Sequence, residues 1–505
     1  MMAGSELSQE TSRVEASIAG PIAGPILVEF QPGDPDNPLN FSAVKKWLIT
    51  TLVTTSVFAV TLTSAAYSAS SEQILGEFHA SKEIFALGIA LFVLGFAVGP
   101  PVWAPISELY GRRILFVASH ALVVAFVAAT AGCNNMPSLL VFRLLAGIFG
   151  ASPLTNSGSV IADLFPHSER GLAMAVFAAA PFMGPMLGPV MGGFVTISIG
   201  WRWLQGICCI FIAVVWIFGV FFLPETYAPV LLSRKARKLS RETGTSHTTI
   251  YETEKAAPSK ILATAFKRPW VLLFMEPIVL IASTYMAILY GTIYMFMGAF
   301  PIVYESKRGW NQGIGGLAFL GLTVGMLIGL AYTIVDNKVR YNKLDKNATP
   351  ESRLPPANIG AIALPVGMFA FAWTNSPSVH WSASVILSAP FGFGCVLVFL
   401  SCLNYLVDSY TIYAASVLAA GAMLRSFFGA AFPLFVSQMY QNLGIHWASS
   451  IPAFLTLACV PFPFLMYRYG AGLRMKCKYA QESASLMAKA QAETEVEISP
   501  DDEPK

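Results

Sequence analysis

Long uncharged apolar stretches recur from Trp47 to Tyr467, separated by short polar connectors, and they constrain this chain more than anything else in it. The windows Trp47–Tyr67, Ile84–Ala104, Ile114–Gly132 and Leu204–Leu223 carry few or no charges. Each holds about 20 residues, enough at about 1.5 Å per residue to cross a hydrocarbon core roughly 30 Å thick. A soluble domain would spread its charges, yet only 12% of the 505 residues are charged and 55% are hydrophobic. Hydrocarbon offers the backbone no outside hydrogen-bond partner, so apolar runs of this length read as helices. The fold class expected is an all-α integral membrane protein.

Several functions fall away at once. A net charge of +3 is too small and too localised to suggest nucleic acid. The seven cysteines fall mostly inside apolar runs and form no C-x-x-C pair, so they read as small hydrophobes without disulfides or metal. No Walker loop, catalytic triad or metal-ligand spacing is visible, so neither an enzyme nor a cofactor is expected. No signal peptide is visible, and the first span is expected to direct insertion.

Counting apolar windows predicts twelve spans, over about 47–67, 84–104, 114–132, 138–162, 172–195, 204–223, 270–299, 313–335, 357–375, 381–407, 412–443 and 446–467. With both termini in the cytoplasm, the outer loops hold only Lys82, Arg202, Lys307 and Arg308, and Arg143 and Arg425 lie within spans. All other basic residues then face the cytoplasm, as the positive-inside rule requires. The polar, basic connector 224–269 divides the spans into halves, 47–223 and 270–467. Residues 1–46 and 468–505 lack hydrophobic periodicity and read as disordered cytoplasmic tails. The halves echo each other weakly: Gly88-Ile-Ala-Leu-Phe-Val-Leu-Gly-Phe-Ala-Val-Gly99 in span two resembles Gly316-Leu-Ala-Phe-Leu-Gly-Leu-Thr-Val-Gly325 in span eight. Paired halves of this kind describe a secondary transporter with its substrate held between them.

Three segments stand out. Glu108-x-x-Gly111-Arg112-Arg113 follows span two; Gly111 permits a tight turn and the arginines suit an anionic inner leaflet. Span four places Arg143, Gly147 and Gly150 on one face. An intramembrane arginine is functional by default, although Arg143 is also near enough to the outer surface to snorkel there. Span five phases two stripes, Gly184, Gly188 and Gly192 with Gly193, and Pro181, Pro185 and Pro189. Glycines let a neighbouring backbone approach, and prolines remove donors and bend the helix.

The loop at Glu108–Arg113 resembles the signature loop of the major facilitator superfamily, with Glu108 standing where that family usually has Asp. The span-five stripes resemble the antiporter motif of its proton-coupled drug exporters. Pro224-Glu-Thr-Tyr-Ala-Pro229, Arg268-Pro-Trp270, Met275-Glu-Pro-Ile-Val279, Ala299-Phe-Pro-Ile-Val303, Asn404-Tyr-Leu-Val-Asp-Ser-Tyr410 and Leu424-Arg425 resemble matching stretches of the fungal twelve-span drug:proton antiporters. The likeness covers about residues 37–475. It implies two six-helix halves and proton-coupled export of small amphipathic compounds, such as drugs, toxins or secondary metabolites, across the plasma membrane. A vacuolar location stays open, as does a uniporter or symporter of a polyamine, organic acid or other metabolite, or a non-transporting sensor of the same fold. A monomer is expected, with the bilayer, protons and a small molecule as partners.

Two carboxylates suit proton coupling. Glu276 stands about seven residues into span seven and Asp408 at the inner end of span ten, and low dielectric favours the protonated form of such groups. Asn156, Tyr285, Tyr290, Tyr294, Phe393 and Asn404 are expected to line a central pocket, since such pockets are mostly apolar with a few polar groups.

Overall fold

The computed structural model describes residues 26–31, 33–166, 169–250, 258–344 and 349–486. Spans one to six are the helices Ala43–Ala66, Lys82–Tyr110, Arg112–Ala131, Met136–Leu164, Arg170–Ile199 and Trp201–Phe222. Spans seven to ten are Pro277–Phe300, Gln312–Val339, Pro355–Thr374 and Trp381–Ser409. One continuous helical stretch follows from Ala414 to Arg474, broken in conformation at Gly444, whose φ of 71° leaves the helical region. That break falls within the connector expected between spans eleven and twelve, so the bundle has twelve crossings.

Helix ends obey local chemistry. Side chains of Ser42, Ser81, Asn135 and Asn311 accept the N–H three residues on and start spans one, two, four and eight. Span two ends at Gly111, whose φ of 100° a side chain would strain.

Packing repeats between the halves. Span one lies on span five as seven lies on eleven, and two on four as eight lies on ten. The halves meet mainly through span two against eleven and span five against eight. Replacing each span by its equivalent in the other half, two by eight and eleven by five, turns one contact into the other, which is how a duplicated six-helix unit pairs with itself.

Four expectations, for span seven, the connector and the two tails, need correction. Span seven starts at Pro277, because the proline pushes Glu276 out of helical geometry (φ −108°, ψ 101°); the preceding helix Pro258–Met275 is a separate element. The connector is therefore partly helical, carrying Ala228–Thr243 as well. The N-tail carries structure within its described residues: Ile26–Leu27 pair in parallel with His247–Thr248, and Val28 packs on Leu232 and Ala236. The hydrogen bond from Lys235 holds the Asp34 carboxyl below its usual range there. The C-tail continues as helix to Arg474 and again over residues 478–486. Residues 1–25 and 487–505 lie outside the described residues.

Candidate functional site

A cavity of about 540 Å³ lies between the halves, walled by spans two, four, five, seven, eight, ten and eleven. It runs from mid-bundle residues such as Met286, Tyr290, Phe399 and Arg425 to exposed Glu108 and Glu169. It thus opens at the end that bears the Arg- and Lys-rich connectors, the basic end. Phe182 closes its far side, edge-on to Phe399 at 4.5 Å and to Tyr290 at 6.4 Å between ring centroids.

The opposite end is shut by backbone contact. A Cβ at Gly193 would overlap the Gln312 carbonyl oxygen, and one at Gly316 would lie 2.6 Å from the Pro189 oxygen. Both contacts join span five to span eight, across the halves. Gly184, Gly188 and Gly192 press instead on span one in their own half; a Cβ at Gly188 would meet Ala66 N and Leu62 O at 2.8 Å. The stripe therefore does two jobs, and Pro181, lower on span five, lines the cavity. Pro185 is buried in the same helix. Tyr294 reaches across to Ser64 at 2.8 Å, adding a hydroxyl pair to the closed end.

The basic end is organised by ion pairs. Arg112 is buried, with Nε 3.3 Å from Asp163, its plane over the Tyr227 ring and a donor on Ser107. The Arg112 and Arg113 N–H groups donate to the Glu225 carboxylate, which occupies the space a Cβ at Gly111 would need. Arg113 donates to the Val220 carbonyl, and Glu108 stays exposed at the cavity mouth. The second half has its counterpart: Asp408 accepts from Arg353 at 2.8 Å, and Glu351 from Arg474 at 2.8 Å. Asp163, at the end of span four as Asp408 is of span ten, was legible from the repeat but not singled out by it.

Of the coupling carboxylates expected from sequence, Asp408 stands at the inner end of span ten as expected, and Glu276 sits elsewhere than expected. Glu276 is buried, but at the basic end and away from the cavity lining. Its oxygens accept the Tyr410 hydroxyl at 2.8 Å and the Tyr479 N–H at 3.0 Å. Burial pushes the nearby Cys477 thiol up to about 11. Depth counted from residue 270 misplaced Glu276, because the helix breaks there and the C-tail folds over it. Glu276→Ala should orphan two donors at about 1–3 kcal/mol each and lower the melting temperature. Glu276→Gln, which keeps an acceptor, should leave the pH response of transport as in wild type.

Of the pocket residues expected, Tyr290 and Asn404 line the cavity. Asn156 instead donates to Ser152, Tyr285 packs edge-on against Phe462, and Phe393 packs against Tyr332. A helix shows the cavity one face only: Tyr285 lies five residues from Tyr290 and so points elsewhere, whereas Tyr294 shares its face but a turn nearer the closed end. Arg143 does not snorkel. It is buried and donates to the carbonyls of Gly88, Thr63 and Ser64 at 2.9, 3.3 and 2.8 Å, with Tyr67 and Phe92 against its plane. Arg425 faces the cavity.

Sequence reading missed Glu305. It lies at the closed end, in a small recess whose walls include Ser68 and Pro189 of one half and Gly315 and Gly316 of the other. It makes no ion pair among the described residues, and its side chain lies against Gly315. Its only sequence signal is a carboxylate just past an apolar run, six residues beyond the expected end of span seven.

Relatives agree with this architecture. The chain is 60% identical over 451 residues to the major facilitator-type transporter sorT of Penicillium rubens, covering 88% of this chain and 86% of that one. It is 58% identical to the MFS-type efflux pump MFS2 of Trichophyton rubrum, covering 89% and 76%. Its fold matches a partially occluded inward open structure of the xylose transporter XylE from E. coli, with a TM-score of 0.59, 17% identity, and 85% and 98% of the two chains covered. The sequence pattern of the Major Facilitator Superfamily matches residues 52–433, and the chain belongs to that family of membrane transporters.

Proposed function

We propose that this protein exports small amphipathic organic compounds from the cytoplasm across the plasma membrane in exchange for protons, working as a single chain. The observation that carries the reading is a cavity between two halves that opens at one end only. By the positive-inside rule the open, basic end faces the cytoplasm, so the state described is the one that loads substrate from within. The relative named an efflux pump supports the direction.

Proton return needs a carboxylate that the two states expose differently. Asp408 is held in an ion pair and Glu276 by two donors. Glu305, between the halves at the closed end, meets the requirement better. When that end opens, Glu305 meets the outer solution. When it closes, an unpaired charge there would lose water without compensation, so closure is favoured with the proton on board.

The test uses everted plasma-membrane vesicles with an acidic interior and a panel of amphipathic anions, neutral compounds and cations. At least one compound should accumulate inside, and a protonophore should abolish the uptake. Uptake indifferent to the proton gradient would identify a uniporter instead.

A further inference from the structure

We infer that Arg425 makes this cavity selective for organic anions, and that the compounds it takes are planar aromatic carboxylic acids, ionised at neutral pH. Arg425 lies eleven residues past Ala414, where span eleven starts at the basic end, so at about 1.5 Å per residue it stands near mid-membrane. Its guanidinium meets two aromatic rings, Tyr290 at 5.5 Å and Phe399 at 5.2 Å. Among the described residues it has no carboxylate and no hydrogen-bond acceptor.

The contrast with other arginines of the bundle is the point. Arg143 has three carbonyls; Arg112 and Arg353 have Asp163 and Asp408. The carboxylates that reach the cavity, Glu108, Glu169, Asp336 and Asp408, belong to its basic-end mouth. Arg340 takes Asp336, and Arg170, at the basic end, donates from Nη2 to the Ala162 and Phe165 carbonyls. Arg425 is thus the one charged group in the deep part of the described cavity.

An open, water-filled cavity can hydrate that guanidinium. Alternating access cannot leave it so, because the cavity must close before the other end opens. Closure removes the water, and an unpaired cation in low dielectric is unfavourable. A bound carboxylate supplies what the protein lacks: two oxygens in the plane of the guanidinium fork. The ring of such a compound has Tyr290, Phe399, Phe177 and Met286 to stack on, and Asn404 offers an amide. Occlusion then favours the anion-loaded state over the empty one, which couples selectivity to the transport step.

The inference rests on the reading of this cavity as the substrate site. It is tested at equilibrium, without a membrane gradient, so its failure and the failure of export are separate results. Purified full-length protein is titrated calorimetrically with 2-naphthoate and with the neutral isostere 2-naphthamide. Wild type should favour the anion by about tenfold or more, as charge-assisted bidentate pairing does. Arg425→Gln should bring the two affinities within about twofold by loss of the anion, while its affinity for the amide stays as in wild type. Its melting temperature should hold, because Arg425 makes no ion pair or hydrogen bond among the described residues that the change would break. Arg425→Lys should keep part of the preference. Equal affinities in wild type, binding of neither probe, or an undiminished preference in Arg425→Gln would overturn the assignment; wild type alone decides if the variant does not fold.

Discussion

Gly193→Leu is expected to abolish export while leaving the protein at normal abundance in the membrane. Gly193 touches the Gln312 carbonyl and the Gly313 backbone across the two halves, so a larger side chain opposes closure of that end without disturbing either half internally. Overpacking typically costs about 1–3 kcal/mol, and 1.4 kcal/mol is tenfold in an equilibrium. The inward-open state should fall about tenfold or more in population. Gly188→Leu is the informative contrast. Gly188 packs on Ala66 and Leu62 within its own half, so its variant should lose abundance and thermal stability as well as transport. Full export by Gly193→Leu at normal abundance would show that the shut end is not a working gate.

Glu305→Gln is expected to uncouple export from protons. The amide preserves shape but cannot carry a charge between the two states. In proteoliposomes, accumulation against a gradient should vanish and the dependence of rate on pH at the opposite face should flatten, while exchange of labelled for unlabelled substrate survives. The driving force lost is large, since each charge moved through 100 mV supplies about 2.3 kcal/mol. An exported anion would add its own charge to that of the returning proton, so wild-type exchange should be strongly electrogenic. Wild-type accumulation and pH response in Glu305→Gln would remove this carboxylate from the mechanism.

The spans were legible because hydrocarbon imposes a continuous apolar run on every crossing, which no tertiary contact can replace. Even the boundary between spans eleven and twelve was placed at Gly444, where the backbone leaves the helical region. Span seven was started too early because an averaging window passes over a two-residue break such as Glu276-Pro277. The stripe on span five was visible as a pattern, but a glycine does not say which backbone will approach it; only the fold separates Gly188, against span one, from Gly193, against span eight. Aromatic residues were the least informative. Tyr285, Tyr290 and Tyr294 suit a pocket equally by composition, and helical phase together with distance from the closed end decides among them. The tails misled for a related reason. Val28 and Tyr479 dock on surfaces that exist only once the linker helix and Glu276 are in place. Arg425 was conspicuous as an intramembrane charge, yet its lack of a partner is a property of seven spans at once.

Alternating exposure of one cavity is the central claim, and a cysteine at Ala422, in the cavity wall one turn before Arg425, tests it without knowledge of the substrate. In a background with the seven native cysteines replaced, the measurement is the rate at which Ala422→Cys reacts with a membrane-impermeant maleimide applied to either face of sealed vesicles. The cysteine should react readily from the basic face. From the opposite face it should react slowly, and about tenfold faster or more when Gly193→Leu holds that end open. Reaction from the basic face alone, unchanged by Gly193→Leu, would contradict the account.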